Sequence, residues 1–172
     1  MLPEPVKQVR LNDELKRHGN GKLPDSLLVP VTGGGRMYHI AAFWFNVMCA
    51  EALKDGITIR NVSEGYRSFE RQEAMFLERY SRIPTTRVPK VTRKYQGRTW
   101  WLKRGKSPSA TPATSNHGYG LAQDIDVRNV AVFRWLSRNA PKYGYYLQGK
   151  QKLPNGKPNP EYEAWHWQFC HL

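Results

Sequence analysis

Apolar residues recur at helical spacing over residues 38–54, at Ile40, Phe43, Val47, Met48 and Leu53, and the pattern stops at Asp55-Gly56, where glycine can take a left-handed cap. A core helix is predicted there. The short, β-branched stretch 57–62 predicts a strand that delivers Gly65-Tyr66-Arg67-Ser68 to a sheet end. Ser68 can cap a second helix, running to about Ser81 with Phe69, Phe76, Leu77 and Tyr80 inward, because Pro84 forbids continuation. A β-hairpin turning at Gln96-Gly97 follows, then a loop over 106–114 and a segment, 115–127, that ends as a strand. Residues 129–139 read as a helix packing Val132, Phe133, Trp135 and Leu136, and 145–147 and 162–169 read as strands. Pro and Gly cluster in 19–35, 105–120 and 149–160, which are predicted loops. This order predicts an α+β fold, a small antiparallel sheet with helices packed against it.

A chain of 172 residues suits one compact domain with a single active site. It contains no run of eighteen apolar residues, and its N-terminus lacks the apolar stretch of a secretory signal, so synthesis in the cytoplasm without a signal peptide is expected. Cys49 and Cys170 are too few for a disulfide framework or a thiolate zinc cluster, and a bridge between them is not indicated. The charge changes the picture more: 27 Lys and Arg against 14 Asp and Glu give +13, a surface that attracts polyanions such as nucleic acid or bacterial cell walls. Residues 91–106 combine cations with Tyr95, Trp100 and Trp101, which fits either a nucleic-acid surface or a solvated basic hairpin whose aromatics cover a core edge. The hairpin is favoured, and no nucleic-acid partner is expected.

Of the five histidines, two sit near carboxylates in separated segments that read as strands or strand edges. A hydrolytic zinc site wants three N or O ligands and an open position, and His117, Asp124 and His166 supply that set. A Gly-containing loop running into a strand can bring His117 and Asp124 to one metal, with Gly118 and Gly120 giving the freedom. On that strand Ala122, Asp124 and Asp126 share a face, so Asp126 is a candidate to support Asp124. Glu163 is the nearest candidate base for a water proton, but in an ideal strand it faces away from His166, so the segment between them must bend or bulge. The H-E-x-x-H signature is absent. His18, His39 and His171 receive no role.

Ser115-Asn116-His117-Gly118-Tyr119-Gly120-Leu121-Ala122-Gln123-Asp124 fits S-x-H-x-x-G-x-A-x-D, and Glu163-Ala164-Trp165-His166 fits E-x-W-H. Both resemble the signatures of the VanY-like D-alanyl-D-alanine carboxypeptidases, a family grouped with lysostaphin-type enzymes and hedgehog domains. Gly65-Tyr66-Arg67-Ser68 with Gln72 resembles a third characteristic stretch. The resemblance implies one Zn2+ held by His117, Asp124 and His166, with Glu163 as catalytic base. Arg67 would stabilise an oxyanion or grip a substrate carboxylate, Ser115 would contact substrate or shape its loop, and Trp165 would pack over the metal. Tyr66, Gln72 and Asp126 are read as structural. Residues 1–36 are then an N-terminal extension packed on or leading into a zinc peptidase domain over 37–172. The expected function is hydrolysis of an amide in the peptidoglycan stem peptide, as an L-Ala-D-Glu endopeptidase or a D-Ala-D-Ala carboxypeptidase. Charge and the missing signal resemble phage endolysins, which act on the anionic wall after release. A zinc-containing cell-wall-binding module without catalysis, or a basic nucleic-acid-binding protein, are the competing readings.

Overall fold

A computed structural model describes residues 8–86, 90–149, 151–152, 155–159 and 162–171. Its helices are α1 (Asp13–Lys16), α2 (His39–Lys54), α3 (Phe69–Arg79) and α4 (Val130–Asn139). Three of them begin on a short polar side chain that accepts from an open backbone donor of the first turn: Asn12 from Leu15, Ser68 from Arg71 and Asn129 from Ala131. Such a cap contributes about 1 kcal/mol and fixes where the helix starts. Among the described residues no helix is long and apolar enough to cross a membrane.

The strands form three small antiparallel sheets among the described residues. The first pairs β1 (Leu28–Pro30), inside the loop predicted over 19–35, with β2 (Arg36–Tyr38), just beyond it. The second has β5 (Arg98–Leu102) at its centre, between β3 (Tyr80–Ser81) and β4 (Thr92–Tyr95). Its hairpin turns at Gln96-Gly97 as predicted, with φ values of 50° and 69° that match the twist of a two-residue connection. The third has β8 (His166–Phe169) between β6 (Ala122–Asp124) and β7 (Tyr145–Leu147). The α+β expectation is met, with the sheet area divided in three.

Two helical faces differ from the expectation for one physical reason. On α2 the buried residues are Ala41, Ala42, Phe45, Met48, Cys49 and Ala52, while Phe43 and Leu53 are 60% and 64% exposed. Small alanines carry the contact because they let α2 approach the third sheet until Tyr145 Oη donates to the Ala41 carbonyl at 2.6 Å. A pattern that weights only large side chains misses such a face. On α3, Leu77 is exposed, and the helix ends at Arg79 because Tyr80 is already extended and pairs with Leu102.

Residues 57–62 do not form the predicted strand. They touch the edge of β6 through an isolated bridge between Asn61 and Ile125 and through Val62 N to Asp124 O at 2.9 Å. Extension of a ladder is opposed by Asn61, whose side chain instead donates to the Thr32 and Gly34 carbonyls.

The main core joins α2, α4 and the third sheet around Trp167, Tyr145, Phe169 and Phe45, all fully buried. Leu15, Leu23, Leu28 and Val31 from the N-terminal segment belong to the same cluster. A satellite cluster of Phe76, Tyr80, Val91 and Leu102, with Tyr95 and Trp100 packed on it, joins α3 to the hairpin. Trp101 pairs with Thr92 and therefore faces the opposite side of that sheet, so two of the three hairpin aromatics cover the core edge. Cys49 and Cys170 are not joined by a disulfide.

Candidate active site

Asp124 ends β6 directly opposite His166, the first residue of β8, so antiparallel register alone makes them cross-strand neighbours. His117 arrives from a 3-10 turn over Asn116–Tyr119, which Ser115 caps and Gly120 closes at φ 62°. The predicted loop-into-strand geometry is what the structure has. Gly118 lies so close to Asn20 that a Cβ would overlap the Asn20 side chain, while Asn20 Nδ2 holds the Ser115 carbonyl at 2.8 Å. The N-terminal segment thus buttresses the turn that carries His117.

The three side chains converge. His117 Nε2 lies 3.3 Å and His166 Nδ1 3.1 Å from the same oxygen, Asp124 Oδ1. Ligand atoms of all three residues fall within 4.8 Å of one another. The Gly65 carbonyl, which can only accept, sits 2.9 Å from His117 Nδ1 and so places that ring's proton on Nδ1. The lone pair of Nε2 then points at a carboxylate oxygen, an arrangement that is repulsive until a proton or a cation lies between them. Two buried imidazoles and a carboxylate arranged this way fit a divalent metal of the zinc type. Burial pushes the Asp124 carboxyl up, but a proton shared with His117 and His166, through hydrogen bonds and charge, outweighs it and holds Asp124 well below the usual carboxylate range. Burial pulls His166 down, favouring the neutral form that a metal ligand needs.

Around this cluster the supporting residues are not all the expected ones. Ser63 Oγ donates to Asp124 Oδ2 at 2.7 Å. Asp126, proposed for that role, lies beyond the end of β6 and grips Arg128 at 2.6 Å and 2.9 Å instead. The strand is one pleat too short to bring Asp126 back to the Asp124 face. Arg67 is buried and engaged on three sides, by Glu64 at 3.2 Å, Gln72 at 3.0 Å and Asp124 Oδ2 at 3.9 Å. Gln72 passes the contact on to the Ala110 carbonyl at 2.8 Å, and Tyr66 Oη accepts from Leu23 N, so both act as scaffold.

Glu163 reaches the cleft because the predicted strand over 162–169 starts only at His166. A turn precedes it, closed by His166 N to the Glu163 carbonyl at 3.2 Å, and this supplies the bend that an ideal strand denies. Glu163 and the cluster line one cleft of about 490 Å³ together with Arg67, Arg79 and Arg93. Burial raises the Glu163 pKa, opposed by the His166 charge and, more weakly, by Arg79 and Arg67. Ser115 lines the cleft while accepting from His117 N at 3.3 Å, and Trp165 stands on the rim at 39% exposure. Ser63, Asn20, Arg79 and Arg93 escaped the sequence reading. Only Ser63 carried a signal, its place two residues before Gly65, and its partner lies 61 positions away.

Fold and site together describe an α+β domain with a candidate metal centre of two histidines and an aspartate. The match to the family model described as VanY, D-alanyl-D-alanine carboxypeptidase, spans residues 35–172, so the chain belongs to that family. A D-alanyl-D-alanine carboxypeptidase of Enterococcus faecalis is 28% identical over 116 residues, 63% of this chain and 39% of that protein. The putative carboxypeptidase YodJ of Bacillus subtilis is 29% identical over 143 residues, 75% of this chain and 44% of its own length. The chain spans less than half the length of these curated relatives. Among solved structures, the LdcB LD-carboxypeptidase is 25% identical with a TM-score of 0.60, covering 98% of this chain and 83% of that one. VanYB in complex with D-alanine-D-alanine is 23% identical with a TM-score of 0.55, covering 84% and 77%. The vancomycin-resistance D,D-pentapeptidase VanY in complex with Zn(II) is 22% identical with a TM-score of 0.54, covering 87% and 83%. These last two likenesses concern the fold.

Proposed function

We propose that this chain is a zinc-dependent peptidase that hydrolyses an amide bond of the peptidoglycan stem peptide. The observation that carries the reading is the convergence of His117, Asp124 and His166 on one point, with Glu163 turned into the same cleft. Family membership and a relative with bound Zn(II) support zinc as the metal.

Bound zinc supplies a Lewis acid that lowers the pKa of a water toward ~7 and polarises a carbonyl. Gly65, through its carbonyl, keeps His117 in the tautomer that offers Nε2. Ser63 fixes one Asp124 oxygen and leaves the other to the two imidazoles. Glu163 takes a proton from the attacking water and returns it to the leaving amine, so that amide and water become a carboxylic acid and an amine. Arg67, held beside Asp124, offers N–H groups to the oxyanion.

Kinship to carboxypeptidases favours release of a C-terminal residue. The net charge of +13 supports attraction to an anionic wall, the setting in which a phage lysin works. Against a nucleic-acid role stands the packing of Tyr95 and Trp100 on Phe76, which occupies faces that stacking bases need.

Digestion of purified peptidoglycan with mass spectrometry of the products tests the proposal. Chelator-sensitive loss of terminal D-Ala identifies a carboxypeptidase, and new N-terminal D-Glu or D-isoGln identifies an endopeptidase. Absence of any metal-dependent product defeats the reading.

A further inference from the structure

The cleft carries more positive charge than its chemistry consumes. Its lining holds three arginines, Arg67, Arg79 and Arg93, against two carboxylates, Asp124 and Glu163, and a divalent metal would add to the excess. Arg67 is committed to Glu64, Gln72 and Asp124 on the metal side. The other two stand elsewhere on the wall. Arg79, the last residue of α3, donates through Nη1 to the Pro108 carbonyl at 3.2 Å, and Arg93, on β4, donates through Nε to the Ser109 carbonyl at 3.3 Å and through Nη1 to the Thr92 carbonyl at 3.2 Å.

The bonds to Pro108 and Ser109 bring guanidiniums from two separate elements to adjacent residues of one loop. They also restrain the two side chains, so that less freedom is lost when a ligand binds. A guanidinium has five donors; among the described residues Arg79 spends one on protein. Ser109 also lines the cleft, and its buried Oγ has no hydrogen-bond partner among the described residues. A buried hydroxyl left this way costs about 1–3 kcal/mol, which an acceptor on a ligand relieves. Two oriented guanidiniums and an unpaired hydroxyl suit a planar anion with two acceptor oxygens.

We propose that Arg79, Arg93 and Ser109 form a second subsite that holds a free carboxylate of the peptide substrate, leaving Arg67 to the oxyanion. The proposal rests on the peptidase reading above and adds a specificity determinant to it. In a stem peptide that carboxylate is either the C-terminal one or that of the glutamyl residue, and Arg79 and Arg93 act as binding groups that take no part in bond cleavage.

The test compares zinc-loaded wild type, R79Q, R93Q and R79K on three peptides of one stem sequence: unmodified, amidated at the C-terminus, and amidated at the glutamyl carboxylate. On the unmodified peptide R79Q and R93Q are expected to raise KM about tenfold or more with kcat nearly unchanged, and R79K to recover part of the loss. On one of the amidated peptides wild type shows the same rise and the variants lose nothing further, and that peptide names the carboxylate. Equal losses on all three peptides, as from a displaced loop, or no loss on any, overturn the subsite. Calorimetric affinities for the same peptides, measured on E163A and E163A/R79Q, keep this separate from catalysis. If wild type cleaves no peptide the peptidase reading falls, while a carboxylate-dependent difference in affinity still upholds the subsite and its absence still removes it.

Discussion

The two walls of the cleft are built differently. One is the third sheet and the turn before it, where backbone register sets Asp124 against His166 and the main core lies behind them. The other is α3, the hairpin and the loop over 107–111, held by a small satellite cluster and by arginine bonds to loop carbonyls. Positions on the first wall are fixed by ladder geometry and close packing, which tolerate little displacement. The second wall has a small ladder of its own, but its loop hangs on side-chain bonds from Arg79 and Arg93. On the proposed function this is a division of labour: the reacting groups sit on the wall set by the third sheet, and the arginines proposed to hold a substrate carboxylate sit on the wall closed by the loop.

Breaking the first wall should have the largest effect. Asp124→Ala removes the oxygen shared by both imidazoles, and metal content by atomic emission should fall to background along with hydrolysis; a variant that keeps stoichiometric metal would dissolve the proposed ligand set. Glu163→Ala is expected to retain metal while losing about 10²–10⁴-fold in kcat, because a base touches only the proton transfers. Parental activity in that variant would take Glu163 out of the mechanism.

The second wall answers through stability. Phe76→Ala empties the satellite cluster and should cost about 3–5 kcal/mol in denaturant unfolding, with metal affinity of the remaining folded protein unchanged. If metal affinity falls in parallel, the walls are not independent. A subtler change on the first wall is Ser63→Ala, which frees one Asp124 oxygen and should weaken metal binding about 10–100-fold in a competition titration. Affinity equal to the parent would show that the Ser63 bond only packs.

The smallest effect concerns the core behind the sheet. Burial pushes the Cys49 thiol up to about 12, so the folded protein holds that proton where the unfolded chain releases it. Stability contributed by the protonated thiol is therefore complete below its ordinary value and falls as pH rises toward about 12. At pH 8 a thiol reagent should modify half-buried Cys170 well before Cys49, and equal rates would show that the α2 face opens readily.

Much of the first wall was legible in the chain. His117, Asp124, Glu163 and His166 stand in short motifs because a turn, a strand end and a second turn each place their residues locally, and local geometry follows from Gly120, Ser115 and strand alternation. The hairpin turn and the Ser68 helix cap were readable for the same reason. What the sequence determined by itself is therefore the chemistry: which side chains can hold a metal, and the elements that carry them. Tertiary structure alone decided who supports whom. Ser63 replaces Asp126 beside Asp124, alanines rather than Phe43 and Leu53 face the core, and Arg79 meets Arg93 at a loop far along the chain. Each of these contacts joins residues with no periodic relation, and only packing of separate elements brings such pairs within hydrogen-bonding distance.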